Sequence, residues 1–172
     1  MKNSLFMRLL WVAAAGSLGT SIAPADETLN EILRQAKWEG IVGTWVDAET
    51  GGRNITTTYT WKFKDRVIEA NTRMAGREDV SLIGVNSKTG EVFNMSASSD
   101  GSASLGSWNF ESNGDAVLGL AFTDGNGQEG LLSIRMRLVD QDTLSMTVEL
   151  PQPIQYKLIR KDKKQQASGT GK

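Results

Sequence analysis

From Ile41 to Arg160 the chain alternates apolar and polar residues in short segments, and every connection between segments is only a few residues long. This alternation limits the possible folds more than any other feature. Ile55, Thr57, Tyr59, Trp61 and Phe63 fall on one face of such a segment, and Thr56, Thr58, Thr60, Lys62 and Lys64 on the other. A two-residue period of this kind is that of an antiparallel strand with one face buried. The next segment, Val67 to Met74, places Ile68, Ala70, Thr72 and Met74 inward. Further strands follow at Val80–Val85, Val92–Ala97, Ala103–Phe110, Ala116–Thr123, Gly130–Val139, Thr143–Leu150 and Ile154–Arg160. Ala75–Glu78, Lys88–Gly90, Ser99–Ser102, Ser112–Asp115, Asp124–Gly127 and Asp140–Asp142 read as the turns between them. With 18 glycines and only 3 prolines in 172 residues, the composition suits many strands and tight turns. The fold expected is all-β: an up-and-down antiparallel β-barrel of about 8–10 strands, which removes exposed edges, with a short N-terminal helix. A two-sheet sandwich is the alternative, and the absence of any long crossover weighs against it.

Ahead of the strands lie two segments of different character. Met1 to Ala25 carries Lys2 and Arg8, then the apolar run from Leu9 to about Leu18, then Ala23-Pro24-Ala25. That order matches a secretory signal peptide cleaved near Ala25, and the run is shorter than the roughly 20 residues a membrane span needs. The expectation is export, periplasmic or extracellular, with no membrane attachment after cleavage. From Asp26 to Trp38, residues Leu29, Ile32, Leu33 and Ala36 form one helical stripe, with Thr28 and Glu31 spaced as a capping box and Gly40 as the stop. Such a helix suits one mouth of the barrel. The organisation expected is therefore a signal peptide at 1–25, a barrel domain with its helix at 26–160, and a polar, disordered tail at 161–172.

Two absences narrow the chemistry. The chain has no histidine and no cysteine. Ser-His-Asp and Cys-His nucleophiles, thiolate metal sites and disulfides are thereby excluded, and haem loses its usual protein ligand. Without residues 1–25, 17 basic residues stand against 20 acidic ones, a balance with no general attraction for nucleic acid or anionic lipid. No cofactor and no metal are expected. Asp124 to Gln128 resembles the front of a calcium loop, but the twelfth position is Arg135 where such a loop needs Glu. Asn54-Ile55-Thr56 and Asn94-Met95-Ser96 match the glycosylation sequon. Glu69, Arg73, Arg135, Arg137 and Glu149 lie within strands and read as a solvated cross-strand face; any that points inward must be paired, and a paired inward arginine could anchor a carboxylate.

Gly43-Thr44-Trp45 opens the first strand directly after the helix, and Arg160 ends the last one in Tyr156-Lys157-Leu158-Ile159-Arg160. This pairing, around an antiparallel meander, resembles the lipocalin-type (calycin) barrels and small exported bacterial barrel proteins of unknown function. The resemblance implies that Trp45 closes one barrel end with Arg160 over its ring, with Gly43 part of the same closure. Lipocalins usually carry a disulfide, which this chain lacks.

The ligand wall expected from the alternation comprises Tyr59, Trp61, Phe63, Phe93, Trp108, Phe122 and Met136, with Met95, Phe110 and Met146 as further candidates. Whether Trp108 or Leu105 faces inward is left open by the pattern. These side chains either line a cavity or fill the barrel solidly. The function expected is non-catalytic binding of a small apolar molecule by a monomer. The alternatives are a packed-core module that meets a protein partner through its loops and, further off, a hydrolase or isomerase using carboxylates.

Overall fold

The computed structural model describes residues 27–161. The expected signal peptide and all of the expected tail beyond residue 161 lie outside the described residues. The described chain is a ten-stranded antiparallel barrel, closed by pairing of the first strand with the last. The strands are β1 (Gly43–Asp47), β2 (Ile55–Phe63), β3 (Val67–Met74), β4 (Arg77–Val85), β5 (Val92–Ser98), β6 (Ala103–Phe110), β7 (Asp115–Thr123), β8 (Glu129–Leu138), β9 (Thr143–Glu149) and β10 (Ile154–Arg160). Each pairs with its sequence neighbours, and β1 and β10 meet through Trp45↔Arg160, Val46↔Ile159 and Asp47↔Leu158. No edge strand remains, so no row of backbone donors and acceptors is left to recruit another chain.

One helix precedes the barrel, α1 (Leu29–Gln35). Its start is the capping box read from sequence: Glu31 N–H donates to Thr28 Oγ1 at 3.2 Å, and Thr28 N–H donates to the Glu31 carboxylate at 2.8 Å. Its end differs from expectation. Lys37, not Gly40, adopts the left-handed conformation that stops it (φ 62°), and Gly40 lies in a single 3₁₀ turn, Glu39–Ile41. The helix crosses one end of the barrel. Leu29 and Leu33 enter the core there beside Trp38, Ile41, Trp45 and Leu158. Asn30 N–H donates to Asp65 O at 3.2 Å and Trp38 Nε1–H to Gly114 O at 3.1 Å, tying the plug to two turns of that end.

The other end is ringed by the β3–β4, β5–β6, β7–β8 and β9–β10 turns and the loop 48–54. The β3–β4 turn is tighter than the four residues expected. Ala75 and Gly76 both have positive φ, and Arg77 and Glu78 already pair with Met74 and Arg73. Asp47 shapes the loop: its carboxylate accepts from Ile55 N–H at 2.8 Å, Thr50 N–H at 2.7 Å, Asn54 N–H at 3.2 Å and the Thr50 hydroxyl. Among the described residues no helix is long and apolar enough to cross a membrane.

Candidate functional site

Barrel interiors widen with strand number. Eight strands leave a space that side chains just fill, and ten leave more. Here the surplus appears as a cavity of about 420 Å³. It is bounded below by Tyr59, Ile83 and Trp108, which on their other side meet the helical plug through Leu33, Trp38, Ile41 and Phe110. It is bounded above by Met74, Arg77, Ser102, Phe122 and Asp124, residues of the turns or the strand positions next to them. The volume lies within the range of small-molecule sites.

The wall has two unlike halves. β7 to β10 supply Leu118, Leu120, Leu132, Ile134, Met136, Met146, Val148 and Ile154, together with Tyr156. β4 to β6 supply Asp79, Ser81, Asn94, Ser96, Ser98 and Ser104, with Thr57 and Thr72 continuing this half onto β2 and β3. The alternation explains the placement, because these residues share the inward parity of Ile83 and Trp108. Their small polar character gave no hydropathic sign of it. Ser98 Oγ donates to Asp79 at 2.6 Å and Ser81 Oγ donates to it at 3.0 Å. Ser96 and Ser104 share one hydrogen bond at 2.7 Å, and Thr57 and Thr72 another at 3.1 Å.

The residues expected on the ligand wall divide. Tyr59, Trp108, Phe122 and Met136 line the cavity, as does Met146. Trp61, Phe63 and Phe93 do not. Trp61 packs against the core outside the cavity. A register shift between Trp61 and Phe63 moves Phe63 to the outer face, where it is 65% exposed. Phe93 lies between inward Val92 and Asn94, so it points out, and its ring covers Gly84, where a Cβ would stand 2.7 Å from it. Met95 is outward for the same reason. On β6 the inward face is that of Trp108, and Leu105 is exposed. Phe110 faces in below the floor, stacked on Trp108 with centroids 6.4 Å apart.

Burial pushes the Tyr59 hydroxyl up to about 12. The Trp108 indole N–H is buried and has no hydrogen-bond partner among the described residues. Asn94, one of the two sequon asparagines, is 4% exposed and faces the cavity, which leaves no room for a glycan there.

Glu69, Arg73, Arg135, Arg137 and Glu149, the strand charges singled out from sequence, sit outside. Arg135 reaches Glu111 at 2.8 Å, Glu149 at 3.0 Å and Asp115 at 3.2 Å, and Arg137 reaches Asp115 at 2.5 Å. Arg73 pairs with Glu78 and Lys62 with Glu69. The Arg137 and Arg135 guanidinium groups hold the Asp115 carboxyl below its usual range.

At the plugged end Trp45 is fully buried, and its Nε1–H donates to Ile41 O at 2.7 Å. Arg160 lies over its ring and donates to Gly40 O, Val42 O and Gln141 O at 2.6, 3.0 and 2.8 Å. Gly43 has φ 136°, and a Cβ there would meet the Arg160 guanidinium at 2.5 Å. The Gly43–Trp45–Arg160 group is therefore a structural closure. Trp38, which completes the plug, was missed in the sequence reading. Its only signal was an indole placed two residues beyond the apolar stripe. No protein-family model matches this chain, and searches of curated proteins and of solved structures found no match.

Proposed function

We propose that this is an exported, monomeric, lipocalin-like carrier that holds a small, largely apolar molecule inside its barrel without transforming it. The cavity carries the proposal: about 420 Å³ of space, reached from one end, floored by aromatic rings and walled on one side by aliphatic side chains. A rigid seal at the opposite end favours a container over a channel. The outward faces of β2 and β3, with Thr58, Thr60, Glu69, Asn71 and Arg73, suit water rather than lipid. The test is mass spectrometry of the protein purified from its native host under non-denaturing conditions. A co-purifying molecule released on unfolding is the expected result. A bare protein that also fails to take up any member of a panel of apolar compounds would overturn the proposal.

One observation favours a second reading, a module that binds a protein partner. Leu82, Met95, Leu105, Ala121 and Leu131 are successive register partners across five strands on the outer face, and Leu131 is 85% exposed. An apolar row of that length is uncommon on a solvated barrel. Uptake of apolar compounds that is blocked by filling the cavity separates the first reading from this one.

A further inference from the structure

The two-sided wall specifies more than an apolar occupant. Asn94 is nine-tenths buried, faces the cavity and has no hydrogen-bond partner for its side-chain amide among the described residues. An amide offers two donors and two acceptor lone pairs, and here they are open to the cavity rather than sealed in the wall. On the neighbouring strand Asp79 forms no ion pair among the described residues. It accepts from two serine hydroxyls, which leaves lone pairs free on both oxygens. Ser96 and Ser104 use one donor between them, so a hydroxyl hydrogen remains available beside Asn94. The other charges at the cavity are engaged near the rim. Arg77 pairs with Asp100 at 3.4 Å, and Asp124 accepts the backbone N–H of Asn126 and Gln128. Across the cavity, Leu120, Leu132, Ile134 and Val148 offer no polar side-chain atom.

We infer that the occupant is an amphiphile with a hydrogen-bond-donating head, a hydroxyl or an amine, that seats on Asp79 and Ser96, while its hydrocarbon part lies against β7 to β9. A carboxylate head is selected against, because it would face the Asp79 carboxylate. This inference rests on the carrier reading above.

The experiment uses the purified protein and a displaceable neutral fluorophore, N-phenyl-1-naphthylamine. Decylamine, 1,2-decanediol and decanoate are then compared as competitors of equal chain length. Decylamine and decanediol are expected to displace the probe at concentrations at least tenfold lower than decanoate. Asp79→Asn, which keeps shape and removes charge, should weaken decylamine at least tenfold and narrow the gap to decanoate. If the probe binds saturably but decanoate competes as well as decylamine in the wild-type protein, or Asp79→Asn leaves the order unchanged, the head-group assignment is overturned and the carrier reading stands. If neither the probe nor any amphiphile binds, both are overturned.

Discussion

The Arg160 guanidinium lies over the Trp45 indole, 4.3 Å from the ring centroid, and the two residues are backbone partners across the β1–β10 pairing that closes the barrel. The contact combines cation–π attraction with three charge-assisted hydrogen bonds to carbonyls that lead into β1 or lie in the β8–β9 turn. A planar fork with five donors can serve all three at once, and an ammonium cannot. Arg160→Met should therefore destabilise the fold by roughly 2 kcal/mol, and Arg160→Lys should recover only part of it. Trp45→Ala should cost roughly 3–5 kcal/mol. Urea unfolding of the three variants checks the order.

Gly106 and Gly119 make a paired test of the barrel wall. A Cβ at Gly106 would run into the backbone carbonyl of Gly119, and strand backbone cannot swing away as a side chain can. A Cβ at Gly119 meets nothing within 4 Å. Gly106→Ala is expected to cost roughly 1–3 kcal/mol, as overpacking does. Gly119→Ala should stay within about 0.5 kcal/mol of wild type, as surface changes do. Thermal unfolding of the two proteins measures the difference. Equal effects would contradict the close approach of β6 and β7.

The Asp47 carboxyl is held down to about 2, first by the Thr50 hydroxyl and then by the backbone N–H groups of Ile55, Thr50 and Asn54. A carboxyl lowered in the folded state favours folding above its unfolded value, about 3.9, and that contribution is lost as pH falls toward 2. The melting temperature should therefore fall between about pH 4 and pH 2. The difference between wild type and Asp47→Asn should shrink over the same interval. A difference independent of pH there would show that the carboxylate is not the loop's anchor.

Much of the architecture was legible because the barrel's inner face keeps strict parity. Val67–Met74, Ala103–Phe110 and Ile154–Arg160 form strands with the bounds the alternation predicts. Parity fails where register slips: the irregularity after Trp61 turned Phe63 outward, and no residue type marks it. On β6 both faces carry apolar residues, so Trp108 and Leu105 could not be ranked by hydropathy. The polar half of the cavity was illegible for a related reason. Ser81, Asn94, Ser96 and Ser104 carry no hydropathic mark of an interior, although they occupy inward positions. Phe93 and Met95 read as wall residues, although they sit between inward neighbours. The helix stop moved from Gly40 to Lys37 because Trp38 must turn into the plug, a tertiary demand with no local signal.

Trp108 gives the cavity its own reporter. It is part of the floor, whereas Trp38 and Trp45 are buried in the plug. An occupant should change the emission of Trp108 far more than that of the other indoles. Trp108→Phe should therefore remove most of the fluorescence response to a cavity ligand while leaving a folded barrel. An undiminished response would place the binding site elsewhere.

The most direct test of the account is titration of wild type and of the Leu132→Phe, Val148→Phe double variant with N-phenyl-1-naphthylamine. Both substitutions add bulk to the aliphatic wall of the cavity and touch neither the plug nor the outer apolar row. The account predicts saturable binding at one site per chain in the wild type and at least a tenfold loss in the filled barrel. Equal binding by the two proteins, or no saturable binding by the wild type, would contradict it.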